Sequence, residues 1–225
     1  MLKYPISTLL YLAKLSIKDK IQDILKLHNN IDVKITVTVK DKNGKIIKVH
    51  KQRSHSFVAN FLGIIANYFV DTPFNTVSVF TATNTSGAKF STVYPMYAND
   101  SANDSTYGIV VGIGKATPTP NDIELQDQIA NGTGSGQLQY GLHTFVPSSG
   151  SVNVSNNTAY FQITRTFSNS SGSTITVSEV GLMAATKDTN GNTDYVLLIH
   201  DLLSSPIAIP NGSVLAITYT ISVTT

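Results

Sequence analysis

The sequence predicts a mainly β protein: an antiparallel, jelly-roll-like β-sandwich with an N-terminal helix–β-hairpin–helix module. Three observations carry this expectation. Beyond Asp71 the chain breaks into short runs rich in Val, Ile, Thr, Tyr and Phe, separated by clusters of Asn, Gly, Ser and Pro. Many short strands at that spacing, with no helix-length pattern among them, describe an antiparallel sandwich. Residues 31–49 alternate apolar and polar about an Asn-Gly turn, and the segments 6–28 and 54–69 place apolar residues at helical spacing. The expected division is an assembly module over 1–72 and the sandwich over 73–225.

In chain order, Ile6, Leu10, Ala13, Ile17, Ile21, Ile24 and His28 step by threes and fours, so one face of a helix over 6–28 is apolar. Leu9, Leu25 and Leu27 widen the stripe, while Lys18, Asp19, Asp23 and Lys26 take the other side. Leu12 and Leu15 on that polar side favour a helix contacted from two directions, by a partner or a second helix. A basic amphipathic helix on a membrane surface is the competing reading. Next, Ile31, Val33, Ile35, Val37 and Val39 share one side of a strand, Asp41-Lys42-Asn43-Gly44 turns, and residues 45–49 return. Ser54 has the chemistry of an N-cap for a helix through Phe69, in which Phe57, Phe61, Ile64 and Ile65 belong to a mostly apolar circumference. The remaining strands are expected at 76–83, 107–113, 137–146, 159–167, 174–183, 195–202 and 214–223.

Composition narrows the function classes. The chain has 225 residues and no cysteine, which removes disulfides, thiolate metal sites and Cys nucleophiles. Its longest apolar run, 6–13, is cut by Lys14 and is too short to span a bilayer. Pro5 and the lack of a small-residue cleavage site argue against reading that run as a signal peptide. Only 13% of residues are charged, about half the share usual in soluble domains. The charge is also segregated: twelve of the sixteen Lys and Arg precede residue 56, against four Asp there. From Ser56 onward four cations face ten acids, so a basic head joins a faintly acidic body.

No motif for catalysis emerges. The histidines His28, His50, His55, His143 and His200 lack metal-ligand spacing, and His200-Asp201 in a strand point to opposite faces. The Gly-x-Ser-x-Gly elbow is absent. Gly112-Ile-Gly114-Lys115 looks superficially like a phosphate loop, but Pro118 and Pro120 forbid the helix that should follow, so it reads as a turn leaving a strand. The loop Asn99-Asp100-Ser-Ala-Asn103-Asp104 lacks a Ca²⁺ ligand pattern and reads as solvated. The expectation is a non-enzyme with no metal and no cofactor.

Two surface features remain. Lys40, Lys42, Lys45, Lys48, Lys51 and Arg53 cluster on the hairpin and its exit, enough for non-specific phosphate contact. With no aromatic interleaved, sequence readout is not indicated, and Lys at a hairpin edge also guards against aggregation. Asn84, Asn99, Asn103, Asn131, Asn153, Asn156, Asn169 and Asn211 each head an Asn-x-Ser/Thr triplet, as a glycosylated, outward-facing body would have in expected loops.

Three stretches carry a family resemblance: residues 51–62; Tyr107-Gly-Ile-Val-Val-Gly-Ile-Gly114 with 122–129; and Ile163-Thr-Arg165-Thr-Phe-Ser-Asn-Ser-Ser-Gly172 with Val177-Ser-Glu179-Val-Gly181-Leu182. Together they resemble β-sandwich virion structural proteins of archaeal viruses and tailed phages, of the tail nozzle, adaptor or capsid-vertex type. The resemblance spans 31–225 and implies a virion location, homo-oligomeric assembly, other virion proteins as partners, and no catalytic residue. Assembly contacts are then expected from Ile6, Leu10, Ile17, Ile21, Ile24, Phe57, Phe61, Ile64 and Ile65. Arg165, Glu179 and Gly181 are expected to be structural: Arg165 and Glu179 as a pair, Gly181 through close backbone approach or a bulge. The alternative is a secreted or cell-surface carbohydrate-binding sandwich, for which Tyr94, Tyr97 and Tyr107 would supply the aromatic platform.

Overall fold

The computed structural model describes residues 31–54, 56–70, 81–91, 96–148, 151–188 and 190–224. The expected helix 6–28, with Ile6, Leu10, Ile17, Ile21 and Ile24, lies outside these residues, as do His28, His55, residues 76–80 and Tyr94. The fold is mainly β with antiparallel sheets. One sheet orders β2 (Ile46–Arg53), β1 (Ile31–Lys40), β11 (Val214–Thr224), β8 (Thr158–Ser168) and β6 (Gln139–Val146), with β7 (Asn153–Ser155) also on β8. A second orders β10 (Thr193–Ile209), β9 (Ile175–Lys187) and β5 (Gly108–Gly112). A small ribbon pairs β3 (Thr81–Thr83) with β4 (Lys89–Ser91), and among the described residues one helix, α1, spans Ala59–Val70.

The hairpin forms where its alternation and turn chemistry require. Asp41 Oδ1 accepts the amides of Asn43 and Lys45, and Gly44 takes the positive φ of 80° that a side chain would oppose. Val33, Ile35, Val37 and Val39 are buried, as their spacing predicts. A lone hairpin is marginal in water, and this one is not alone. β1 pairs with β11 over its whole length, from Ile31↔Val223 to Lys40↔Val214. The hairpin therefore belongs to the same sheet as the C-terminal strands, and residue 72 does not separate the two.

Elsewhere the structure departs from expectation in instructive ways. Residues 56–58 pair with β10 before any helix begins: Phe57 bridges Ile199, and the Val58 amide donates to the Leu198 carbonyl. The helix consequently starts at Ala59, and Ser54 is no N-cap; its hydroxyl is buried without a hydrogen-bond partner among the described residues. Among the described side chains of α1, Leu62 is exposed while Ile64 is buried. Asn60 fixes the helix to β3, donating to the Thr83 carbonyl and accepting the Thr83 amide, both at 2.8 Å. β10 continues well past residue 202 because Ser204–Pro206 fall within a register shift of an edge strand, where proline is tolerated. The short β4 and β7 were not expected.

The two larger sheets share one apolar cluster. Ile35, Tyr219, Ile217, Phe167 and Leu215 come from the six-stranded sheet; Val110, Val177, Val180, Leu197 and Ile207 come from the three-stranded one. The edge strand β5 is buried throughout because residues 127–129 lie along it, with Ile129 N–H donating to the Val111 carbonyl and Ile113 N–H to that of Asp127. Since the hairpin is part of this cluster, Ile35→Ala should lower the whole protein's stability by about 2–5 kcal/mol in one cooperative denaturant transition. A separate early transition confined to the hairpin, by circular dichroism against tyrosine fluorescence, would contradict the shared core.

Candidate functional site

Alternation along β8 points Arg165 inward between Ile163 and Phe167, and its side chain is 0% exposed. A buried guanidinium must find acceptors for five N–H groups, and each one has a main-chain carbonyl. Nε donates to Gly141 at 2.9 Å, Nη1 to Tyr107 at 3.0 Å and Ile109 at 3.1 Å, and Nη2 to Ser101 at 3.0 Å and Asp104 at 2.5 Å. The Tyr140 ring lies below the cation at 4.7 Å, and the Asp100 carboxylate is 3.9 Å away. Burial pushes the Asp100 carboxyl up, against the amides of Tyr107 and Ser101 that favour its charge. The Asp-rich loop is thus the cap of Arg165, and Asp100 is buried, contrary to the solvated loop expected. His143 completes this wall. It accepts the Ile109 amide on Nε2 at 3.0 Å, and burial, with Arg165 nearby, holds its pKa down to about 4.

Glu179 on β9 does not pair with Arg165. Its carboxylate occupies a cradle of its own: Oε1 accepts the amides of Gly114 (3.0 Å) and Asp127 (2.8 Å), and Oε2 accepts Gln126 N–H (3.1 Å) and His200 Nε2 (2.9 Å). His200 Nδ1 reaches Asp122 Oδ2 at 2.6 Å. With a carboxylate on each ring nitrogen, both nitrogens donate and the imidazole is cationic. Burial opposes that charge, but the two carboxylates outweigh it and raise the His200 pKa. Burial likewise opposes ionisation of Glu179, yet His200 and the three amides hold its carboxyl below the ordinary range. Asp122 is also lowered, its burial outweighed by Thr119 and His200.

The glycine run 112–114 has an anion-cradling shape, and the anion is the chain's own carboxylate. A Cβ on Gly112 or Gly114 would lie 2.3 or 2.5 Å from Glu179 Oε1. Gly181 is needed for close approach, as expected; a Cβ there would meet Leu125, Val110 and Leu197 side chains at 3.0–3.2 Å. With Glu179 and His200 both buried and their polar atoms engaged, this triad pins residues 113–128 to β9 and β10. His200 and Asp122 were not among the sequence candidates, because the strand periodicity that separates His200 from Asp201 says nothing of partners 21 and 78 residues away.

An apolar cleft of about 380 Å³ opens at one end of the core. Ile31, Phe145, Phe161, Ile163 and Ile221 line it from the six-stranded sheet, and Leu182, Ala184, Leu198 and Ile199 from the other. Phe57 and Phe61, stacked at 4.1 Å, and Met96, Tyr97 and Ala98 complete it, with no charged residue. Of the expected assembly contacts, Phe57 and Phe61 line the cleft, Ile64 is core and therefore unavailable, and the Ile65 side chain lies outside the described residues.

The basic cluster is divided by the hairpin. Lys51 and Arg53 share the outer face with Lys34, where Asp32 contacts Lys34 at 3.0 Å and Arg53 at 3.4 Å. Lys48 pairs across from Val39 and reaches the Pro206 carbonyl, while Lys42 and Lys45 flank the exposed tip with Lys40 close by. Among the sequon asparagines, Asn99, Asn103, Asn156 and Asn211 are exposed, while Asn84, Asn131 and Asn153 are half-buried, Asn153 within β7. Asn169 is 1% exposed, and its Nδ2 donates to the Ser173 and Ile209 carbonyls, so in the folded chain it offers no nitrogen to a glycan. No protein-family model, curated protein or solved structure matches the chain.

Arg165→Met should destabilise the protein by about 3–5 kcal/mol, because it strands five carbonyls together with the buried Asp100. A loss under about 1 kcal/mol in chemical denaturation would show that the carbonyls find other donors. The His200 triad has a pH signature. The Glu179 and Asp122 contributions are present above about pH 4.3 and lost as pH falls through their lowered values; that of His200 is full below about pH 6.5 and lost as pH rises through its raised value. The stability gap between the native chain and His200→Asn should therefore be widest near pH 5–6 and narrow above it. A gap that is constant from pH 5 to 9, or that widens as pH rises through about 6.5, would show that folding does not raise the His200 pKa.

Proposed function

We propose that the chain is a structural virion protein, one subunit of an oligomeric ring of the tail nozzle or adaptor type, with no catalytic role. In this reading the two sheets form a jelly-roll-like β-sandwich displayed outward. The basic N-terminal region meets neighbours or an inner layer, with non-specific phosphate contact secondary. The observation that supports it best is the contrast between the two edges of the six-stranded sheet. The β2 edge exposes Ile46, Ile47 and Val49 but sets Lys48, Lys51 and Arg53 among them, the usual guard against further pairing. The opposite edge, β6 with β7, has no formal charge in either strand and leaves Leu142, Phe145, Val146 and Val154 exposed. An unguarded apolar edge on a weakly charged body is suited to contact with a neighbouring subunit, and a head-to-tail contact of that kind forms a ring where the rotation between subunits closes. The residues resembling virion proteins support the class, and the edge supports the assembly.

One observation favours the alternative of a carbohydrate-binding module. Tyr107 stacks on Tyr195 at 5.7 Å and meets Tyr97 edge-on at 5.6 Å, and Tyr97 is exposed. Glycan-array binding by a monomer, abolished by Tyr97→Ala, would favour that reading over a ring.

Mass photometry of the full chain should show one assembly larger than a dimer. Leu142→Lys with Val146→Lys, both at exposed positions, should weaken that assembly by about tenfold or more while leaving the circular dichroism spectrum unchanged. A monomer at tens of micromolar would count against the ring.

A further inference from the structure

The cleft is an exposed part of an otherwise closed core. Ile31 stands on the same face of β1 as Val33, Ile35 and Val37, yet it is 55% exposed where they are buried. Phe161 and Phe145 share the inward faces of β8 and β6 with Ile163 and His143, and both are also exposed. The core faces of three strands therefore run out beyond the residues that cover them. Such a surface, apolar and free of charge, calls for an apolar occupant.

We propose that the apolar stripe of residues 6–28 of the same chain seats in this cleft, with Ile17, Ile21 and Ile24 against Phe161, Phe145 and Phe57. Three arguments on the molecule itself support that occupant. The segment ends at the cleft's rim, because only Asn29 and Asn30 separate His28 from Ile31. Ile24 precedes Ile31 by seven residues, a stretch that reaches no more than about 25 Å even fully extended, so the tether keeps the stripe near the cleft at high effective concentration. The chemistry also matches on one side only. Ile17, Ile21 and Ile24 carry no charge, whereas Lys18, Asp19, Asp23 and Lys26 on the opposite side cannot enter a cleft with no polar partner and stay in water. The inference does not depend on the virion reading.

The chain has no cysteine, so engineered pairs report directly. The full-length Ile24→Cys/Phe161→Cys variant, treated with a short bismaleimide, should give a cross-linked product of monomer size. Its yield should exceed by about tenfold or more that of Ile24→Cys/Val49→Cys, whose second site is on the outer face of β2. Peptide mapping identifies the joined residues. Phe161 is 41% exposed, and Phe145→Cys serves as a second partner should the first variant fail to fold. A dimer-sized product would overturn the proposal in favour of a segment from a second copy. Equal yields from cleft and control pairs would show that the segment does not cover the cleft.

Discussion

Two opposite charges buried in one β core, each satisfied by main chain rather than by the other, set the constraint on which the rest of the structure depends. Arg165 holds five carbonyls; Glu179 holds three amides and an imidazolium. A direct pair would have satisfied the Coulombic demand but left the loops that enter and leave β5 without partners for their buried polar groups. Placed as they are, the cation gathers the carbonyls around 101–109 and 141, and the anion gathers the amides of 114–127. Long irregular connections are thereby fixed as firmly as strands. Each group is costly to bury unpaired, so the loops and the charges depend on one another.

Much of this fold was legible in the sequence, and the places where it was not share a cause. The alternation of Val33, Ile35, Val37 and Val39 around Asn43-Gly44 specified a hairpin with one buried face, and the clean pattern 214–223 specified the strand that pairs with it. Their pairing with each other, 190 residues apart along one hydrogen bond from Ser222 to Asp32, is non-local and leaves no trace in either pattern. The same limit explains the helix boundary. Ser54 has N-cap chemistry, but the pairing of Phe57 with Ile199 competes for that backbone and wins. It also explains the expected Arg165–Glu179 pair, which charge alone suggested and the backbone acceptors pre-empted.

The site followed a similar course. Gly181 was found from sequence because its signal, a small residue within a strand, is local. Phe57 and Phe61 showed helical spacing, but Phe57 pairs with β10 ahead of the helix and both line the cleft. His200 and Asp122 were passed over, and the loop 99–104 was read as solvated, because their roles come from partners distant in sequence. The apparent phosphate loop at 112–115 belongs to both categories. Its glycines do admit an anion to backbone amides, and the anion is the carboxylate of Glu179.

The surface divides in the same sense as the charge. The β2 edge is lysine-guarded and the β6–β7 edge is not, and the cleft lies where the basic N-terminal segment joins the sheet. All of these features presuppose a rigid body held by the two buried charges. Amide hydrogen exchange tests that premise most directly. The loop amides of Gly114, Gln126 and Asp127 should exchange as slowly as those of β9, opening only with global unfolding. Exchange at the rate of ordinary exposed loop amides would show that the Glu179 cradle opens locally and that the buried charges do not hold the body together.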